Sequence, residues 1–219
     1  MTFIDRADAG RRLAEKLSGY RNRPDVVVLG IPRGGVPVAL EVAKRLSAPL
    51  DIFLLRKLGV PGHEELAFGA IASGGVRLLD QEVISGLRIS NEDIEHVTSA
   101  ELEELKRREK AYRGERPALN VKGKTVIVVD DGIATGSSIR AGIQALRQLQ
   151  PARIVVAAPV APIGTYNQLR NETDEVICVL MPQSFYAIGQ FYEDFSQVSD
   201  EVVLALLGQA SQAVMKQAV

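Results

Sequence analysis

Thr125-Val126-Ile127-Val128-Val129-Asp130-Asp131-Gly132-Ile133-Ala134-Thr135-Gly136-Ser137-Ser138-Ile139 is the stretch on which the fold turns. Val126 to Val129 is a β-branched run without polar alternation, the pattern of a strand covered on both faces. Two adjacent acids end it. A turn rich in Gly, Thr and Ser follows, and a helical pattern starts at about Ser138. A strand, a turn and a helix N-terminus in this order make an anion site, because inward N–H groups and the helix dipole both favour negative charge. The two acids cannot serve a phosphate; they suit hydroxyls or a hydrated cation. A ligand with a phosphate on one side and sugar hydroxyls on the other satisfies both halves. Helix capping alone accounts for one acid or one hydroxyl, not for an acid pair followed by a second hydroxyl cluster.

Around this stretch, apolar patterns alternate between strand and helix periods. Arg6 to Leu17 reads as an amphipathic helix with Ala9, Leu13, Ala14 and Leu17 on one face. Val26 to Ile31 reads as a buried strand, Gly35 to Leu46 as a helix, and Leu50 to Leu55 as the next strand. Ala67 to Ala72 reads as a third strand, with Val76 to Leu79 pairing to it as a ribbon across Ser73-Gly74-Gly75. Beyond the acid pair, a helix to about Leu149 precedes strands at Ile154 to Ala158 and Glu175 to Leu180, with a helix near Ile163 to Arg170 between them. A last helix is expected from Asp200 to about Met215. Such alternation predicts parallel βαβ units in a doubly wound α/β sheet with helices on both faces. Asn91 to Arg113 reads as a long polar helix capped by Ser90 or Asn91. Its charges of mixed sign at helical spacing predict a solvated helix laced with i,i+4 pairs.

Composition narrows the function. At 219 residues, with 46% hydrophobic and 24% charged residues, the chain is long enough for one full core. A net charge of −1 disfavours a nucleic-acid-coating surface while leaving room for a local anion pocket. One cysteine, Cys178, excludes an internal disulfide and a thiolate metal cluster, and two histidines, His63 and His96, exclude a multi-histidine metal site. Met1 to Leu17 lacks the apolar core of a signal peptide, and the longest apolar stretch, Ile154 to Ala161, is too short to span a bilayer and contains Pro159. No membrane association and a cytoplasmic location are expected.

Two further segments carry chemistry. Ile31-Pro32-Arg33-Gly34-Gly35 closes the first strand; its glycines allow close backbone approach and Arg33 supplies a fork-shaped cation suited to phosphate. Leu55-Arg56-Lys57-Leu58-Gly59-Val60-Pro61-Gly62-His63-Glu64-Glu65 places two cations after the second strand, with a stretch made mobile by Gly59, Pro61 and Gly62. A third segment, Met181 to Phe195, holds five of the eleven aromatic residues, and aromatic faces beside Gln183, Gln190 or Asp194 could receive a flat heterocycle. Core packing explains part of the same rings.

The acid-pair stretch resembles the signature of the type I phosphoribosyltransferases, with a spacer and loop closest to adenine-type members. The whole chain resembles a group of bacterial phosphoribosyltransferase-like proteins that share the Pro-Arg-Gly-Gly, Arg-Lys-Leu-Gly and Asp-Asp-Gly-x-Ala-Thr-Gly segments and have no assigned acceptor. The resemblance implies a strand order of 3-2-1-4-5, with the strand before Arg33 and the strand before Asp130 as central neighbours. It also implies a single domain over residues 1–219, a hood from 181–199 plus N-terminal elements, and a helical insertion at 90–113. By the same resemblance the donor is 5-phosphoribosyl 1-pyrophosphate (PRPP) with Mg²⁺, and the acceptor is a small heterocycle. Asp130 and Asp131 then hold the ribose hydroxyls and the metal indirectly, through water or ribose. Ala134, Thr135, Gly136, Ser137 and Ser138 hold the 5′-phosphate. Arg33, Gly34 and Gly35 meet the pyrophosphate, with a non-proline cis peptide expected at Pro32–Arg33 or Arg33–Gly34. Arg56 and Lys57 act on the same polyanion. Phe185, Phe191, Tyr192 and Asp194 are the acceptor-side candidates.

The chain departs from the family at two points. Val60 stands where a further lysine is usual, and Ala134 where 6-oxopurine members carry a third acid. A hypoxanthine- or guanine-type mechanism in its usual form is therefore not expected, and Glu64, Glu65 and Asp194 are the alternatives for a general base. A homodimer is expected from the family. The rival of another class is a PRPP-sensing regulator that binds nucleic acid without catalysis; retention of Arg33, Arg56 and Lys57 favours the enzyme.

Overall fold

The structure, a computed structural model, describes residues 2–118 and 120–217, with the side chains of residues 64, 65 and 212–217 left aside. Its elements run α1 (Arg6–Lys16), β1 (Val26–Gly30), α2 (Gly35–Leu46), β2 (Leu50–Ile52), β3 (Leu55–Val60), β4 (His63–Ala72), β5 (Val76–Leu79), α3 (Gln81–Leu87) and α4 (Asn91–Arg113), then β6 (Thr125–Val129), α5 (Ser137–Gln148), β7 (Arg153–Val160), α6 (Ile163–Leu169), β8 (Glu175–Leu180) and α7 (Asp200–Gln217). Short 3₁₀ turns lie at Ser18–Tyr20 and Ile188–Phe191.

Five parallel strands form the central sheet in the order β2-β1-β6-β7-β8. Every residue of β1 and β6 is buried, which explains their unbroken apolar runs. Alternate side chains serve opposite faces. Val27, Leu29, Val126, Val128, Ile154 and Val156 pack under α5 and α6, whereas Val26, Val28, Ile127, Val129, Val155 and Ala157 pack under α1 and α2. The doubly wound class is as the sequence predicts, and the central pairing of β1 with β6 is as the family resemblance implies. Among the described residues no helix is long and apolar enough to cross a membrane.

The edge beside β2 corrects the expectation. β2 ends at Ile52, short of the expected Leu55, and Leu55 begins a separate strand. The stretch read as a mobile loop is a β-hairpin: β3 and β4 are antiparallel arms joined at Pro61-Gly62, with Gly62 at φ +77°. A turn this short can join only antiparallel strands. The strand expected as an outer member of the main sheet therefore lies in a second sheet of order β3-β4-β5. Counted within the main sheet the order is 2-1-3-4-5 in place of 3-2-1-4-5. The second sheet still departs from beside β2, where the Ser73 N–H donates to the Leu54 carbonyl at 2.9 Å. The expected pairing of Val76 to Leu79 with the preceding strand is present.

α4 is also more than a solvated helix. Ser90 caps it and Glu104 pairs with Arg107 and Arg108 as expected. Ile94, Thr98, Leu105 and Tyr112, however, form a buried stripe. With Leu58, Phe68, Ile71, Val203 and Leu207 the apolar members of this stripe build a further core, so α4 and α7 cover one face of the small sheet.

Candidate active site at the carboxyl ends of β1 and β6

β1 and β6 finish level, with Gly30 opposite Val129. The loops that leave them therefore meet. Gly34 faces Asp131 so closely that a Cβ on it would lie 1.9 Å from Asp131 Oδ2. A Cβ on Gly35 would lie 2.7 Å from the Val129 carbonyl oxygen and 2.9 Å from Asp130 Cα. Both glycines are required by contact with the acid pair. The Pro32–Arg33 peptide in the same loop is cis, one of the two positions expected.

Asp131 is buried and Asp130 is half-buried. The Asp131 N–H donates to Asp130 Oδ1 at 2.9 Å. Burial, and then the charge of Asp131, push the Asp130 carboxyl well above the usual carboxylate range. Burial also raises Asp131, against the opposing pull of Arg6, whose Nε donates to Asp131 Oδ2 at 2.8 Å. Two acids with one cation leave the site short of positive charge. Hydroxyl donors or a hydrated cation relieve it. Among the described residues no third His, Cys, Asp or Glu joins the pair in a metal-binding group. The pair therefore fits an ion that keeps most of its water and is held through few carboxylates, as Mg²⁺ is.

Downstream, the loop is pinned at its middle. The Ile133 N–H donates to the Val160 carbonyl at 2.9 Å, and Thr165 Oγ1 donates to the Ala134 carbonyl at 2.8 Å. Gly136 takes φ +78° at the N-cap of α5 and supplies no side-chain cap. Thr135 and Ser137 exchange a hydroxyl hydrogen bond at 3.1 Å. The first turn of α5 thus presents N–H groups and the Thr135, Ser137 and Ser138 hydroxyls together, the requirements of an oxyanion site.

The cations do not all converge. Arg33 Nη1 lies 3.8 Å from Asp200 Oδ1, at the start of α7. Arg56 and Lys57 are neighbours on β3 and so point to opposite faces. Arg56 pairs with Glu101 of α4, its Nε at 2.5 Å from Oε2, while Lys57 is exposed. Both nevertheless reach the rim of a cavity of about 680 Å³ that Ser137, Ser138, Arg140 and Gln144 line from the α5 side.

The aromatic segment divides. Phe185 and Phe191 stack on each other with centroids 5.5 Å apart. Tyr192 is buried against Phe3 and Phe195, and its hydroxyl donates to the Asp131 carbonyl at 2.6 Å. It packs the site from behind. Asp194 is exposed; its carboxylate accepts the Ser196 N–H at 2.9 Å, which holds its pKa down. His63 is exposed, and the side chains of Glu64 and Glu65 lie outside the described residues. Sequence reasoning placed Arg6 on an amphipathic helix and missed its contact with Asp131, because that pair is separated by 125 positions.

The phosphoribosyl transferase domain family matches residues 4–196. "Putative phosphoribosyl transferase Rv0571c" of Mycobacterium tuberculosis is 45% identical over 208 residues, which are 95% of this chain and 47% of that protein. The chain spans about half the length of the curated relatives it matches. The crystal structure of TT1426 from Thermus thermophilus is similar at 41% identity and a TM-score of 0.83, covering 95% of this chain and 99% of that one. The AQ2163 protein from Aquifex aeolicus, 12% identical with a TM-score of 0.50 over 84% of this chain and 78% of its own, shares the fold.

Proposed function

Because the chain belongs to the phosphoribosyl transferase domain family, we propose that it transfers the 5-phosphoribosyl group of PRPP to a nitrogen of a small heterocyclic acceptor, releasing pyrophosphate, with Mg²⁺ as cofactor. The observation that carries this reading is the meeting of Gly34 and Gly35 with Asp131 and Asp130 beside the first turn of α5, whose N-cap Gly136 has no side chain to cap it. One ligand with a phosphate, two hydroxyls and a second polyanionic group matches that surface.

In this reading the α5 amides and the Thr135, Ser137 and Ser138 hydroxyls bind the 5′-phosphate, with Ala134 and Gly136 shaping the loop. Asp130 and Asp131 accept the ribose hydroxyls and favour the positive charge that develops on the sugar as the C1–O bond to pyrophosphate breaks and the C1–N bond forms. When bound, Mg²⁺ supplies neutralisation of the pyrophosphate, and the acid pair holds it indirectly. The backbone at Gly34 and Gly35 admits the pyrophosphate, and Arg33, Lys57 and Arg56 offset its charge. Arg33 and Arg56 each exchange a carboxylate partner, Asp200 and Glu101, for the ligand. Rate acceleration then comes from positioning and fixed charge. Phe185 and Phe191 are the acceptor-side surface, in a hood of 181–199 with the N-terminal residues, and Asp194 is a candidate to take the acceptor's proton. A single domain with α4 as an insertion, a nucleotide-salvage role in the cytoplasm and a homodimer complete the proposal.

The test incubates the protein with PRPP, Mg²⁺ and pooled purine and pyrimidine bases, and follows new nucleoside monophosphates by mass spectrometry. Asp131→Asn should fold normally and lose about 10²–10³-fold in turnover, the scale of one preorganised electrostatic contact. Near-normal turnover in that variant removes the acid pair from the reaction. Bound PRPP with no nucleotide or pyrophosphate formed favours a non-catalytic role.

A further inference from the structure

Arg6 opens α1, a position from which a long side chain can reach water freely. Instead it is turned inward, with both its own and the Asp131 side chain only 12% exposed. Its Nε donates to Asp131 Oδ2 at 2.8 Å, its Nη1 donates to the Ser196 carbonyl at 2.8 Å, and its guanidinium lies 4.0 Å from the centroid of the Phe195 ring. Asp131 is gripped a second time through its backbone, by the Tyr192 hydroxyl at 2.6 Å. Tyr192 and Phe195 are in ring contact at 4.9 Å, and Tyr192 meets Phe3 at 5.3 Å. The Phe3 N–H donates to the Phe191 carbonyl, the Glu193 N–H to the Phe3 carbonyl and the Asp194 N–H to the Ile4 carbonyl, at 2.8, 2.8 and 2.9 Å. Residues 3–4 and 188–196 are therefore one body, and Arg6 and Tyr192 are its attachments to the acid pair. Ile188 extends the contact to the loop, since a Cβ on Gly132 would lie 2.4 Å from Ile188 Cγ2.

The planar guanidinium suits this task, because one edge, one further N–H and one face can each hold a different partner. Among the described residues no donor from another residue takes Asp131 Oδ1 in a hydrogen bond. With Oδ2 committed to Arg6, Oδ1 is the acceptor position that remains. We propose that Arg6 is a positioning residue that locks the Asp131 carboxylate in the orientation that receives a sugar hydroxyl, so that docking of the 3–4/188–196 body sets the enzyme's preference for ribose over deoxyribose in the donor. This rests on the reading of Asp130 and Asp131 as the ribose site.

The experiment measures binding of ribose 5-phosphate, 2-deoxyribose 5-phosphate and inorganic phosphate by calorimetry. The wild-type protein is expected to prefer ribose 5-phosphate by about tenfold or more, the worth of one hydrogen bond to a charged group. Arg6→Met keeps the apolar stem and loses the fork. The preference should fall to within about twofold while phosphate affinity holds. Arg6→Lys should restore part of the preference. Arg12→Met, on the same helix and lying over Phe3, should leave it unchanged. If Arg6→Met fails to fold, Arg6→Gln is read in its place with the same expectation. A folded Arg6 variant that discriminates as well as wild type overturns the proposal for Arg6 alone. A wild-type protein that binds the two sugars equally overturns this proposal and the ribose-site reading together.

Discussion

Gly34 has no side chain because Asp131 stands where one would be. A Cβ there would approach Asp131 Oδ2 to 1.9 Å, and the carboxylate cannot yield without releasing Arg6. Gly34→Ala should therefore destabilise the protein by about 1–3 kcal/mol, the usual cost of overpacking, and abolish PRPP binding; urea unfolding and calorimetry check the two effects. Asp130 carries the opposite cost. Its folded-state pKa is raised, first by burial and then by Asp131. A carboxyl raised in this way contributes stability below its unfolded pKa and loses that contribution as pH rises through the folded value. Asp130→Asn keeps an oxygen for the Asp131 N–H and removes the charge. Its melting temperature should exceed that of wild type by a margin that grows as pH rises above the ordinary carboxylate range, in a thermal-shift series, while PRPP binding is lost. The acid pair and its glycines were legible in the sequence because their chemistry is local. Arg6 was not, since nothing near position 6 records a partner at 131.

At the scale of elements, the errors share a cause. Gly59, Pro61 and Gly62 signal a turn equally well in a loose lid and in a hairpin; what decides is whether the flanking residues pair, and Leu58 and Val60 are buried on the paired strand. The polar composition of α4 likewise hid a stripe of four buried residues in a helix of twenty-three. Leu105 is 1% exposed at the centre of that stripe. Leu105→Ala should cost about 2–5 kcal/mol in chemical denaturation, whereas truncating Arg107, whose ion pair with Glu104 is screened by solvent, should leave the denaturation midpoint almost unchanged. A solvated helix without a core role would show no such difference.

For the whole molecule, the place of the candidate site follows from where the strand order reverses. β1 and β6 are central neighbours from which the chain winds outward in opposite senses, toward β2 on one side and β7 on the other. The glycine loop and the acid loop meet there, at the carboxyl ends of the strands, where open α/β sheets take their ligands. The small sheet, α4 and α7 close one flank, with a core that also takes in Val36 of α2 and Ile52 of β2. The 3–4/188–196 body attaches at the acid pair. A ligand bound across these parts stabilises the native state alone. Saturation at about a hundred times Kd should add about 2.7 kcal/mol, a rise of roughly 5–10 °C for a chain of this length. Calorimetric scans with PRPP and Mg²⁺ should show that rise in wild type and not in Asp131→Asn.

The class of fold and the acid, glycine and hydroxyl segments could be read from the chain, because each rests on residues within a few positions of one another: a β-branched run, a period of 3.6, two acids before a turn; the central pairing of β1 with β6 came only from the family resemblance. Register, company and exposure could not. Whether Arg56 and Lys57 act together depends on the strand that carries them, which turns one toward Glu101 and the other toward water. The role of Tyr192 depends on Phe3, Phe195 and the Asp131 carbonyl arriving around it, and the charge state of Asp130 depends on burial. These properties belong to contacts between segments far apart in the chain, and such contacts exist only once the core has packed.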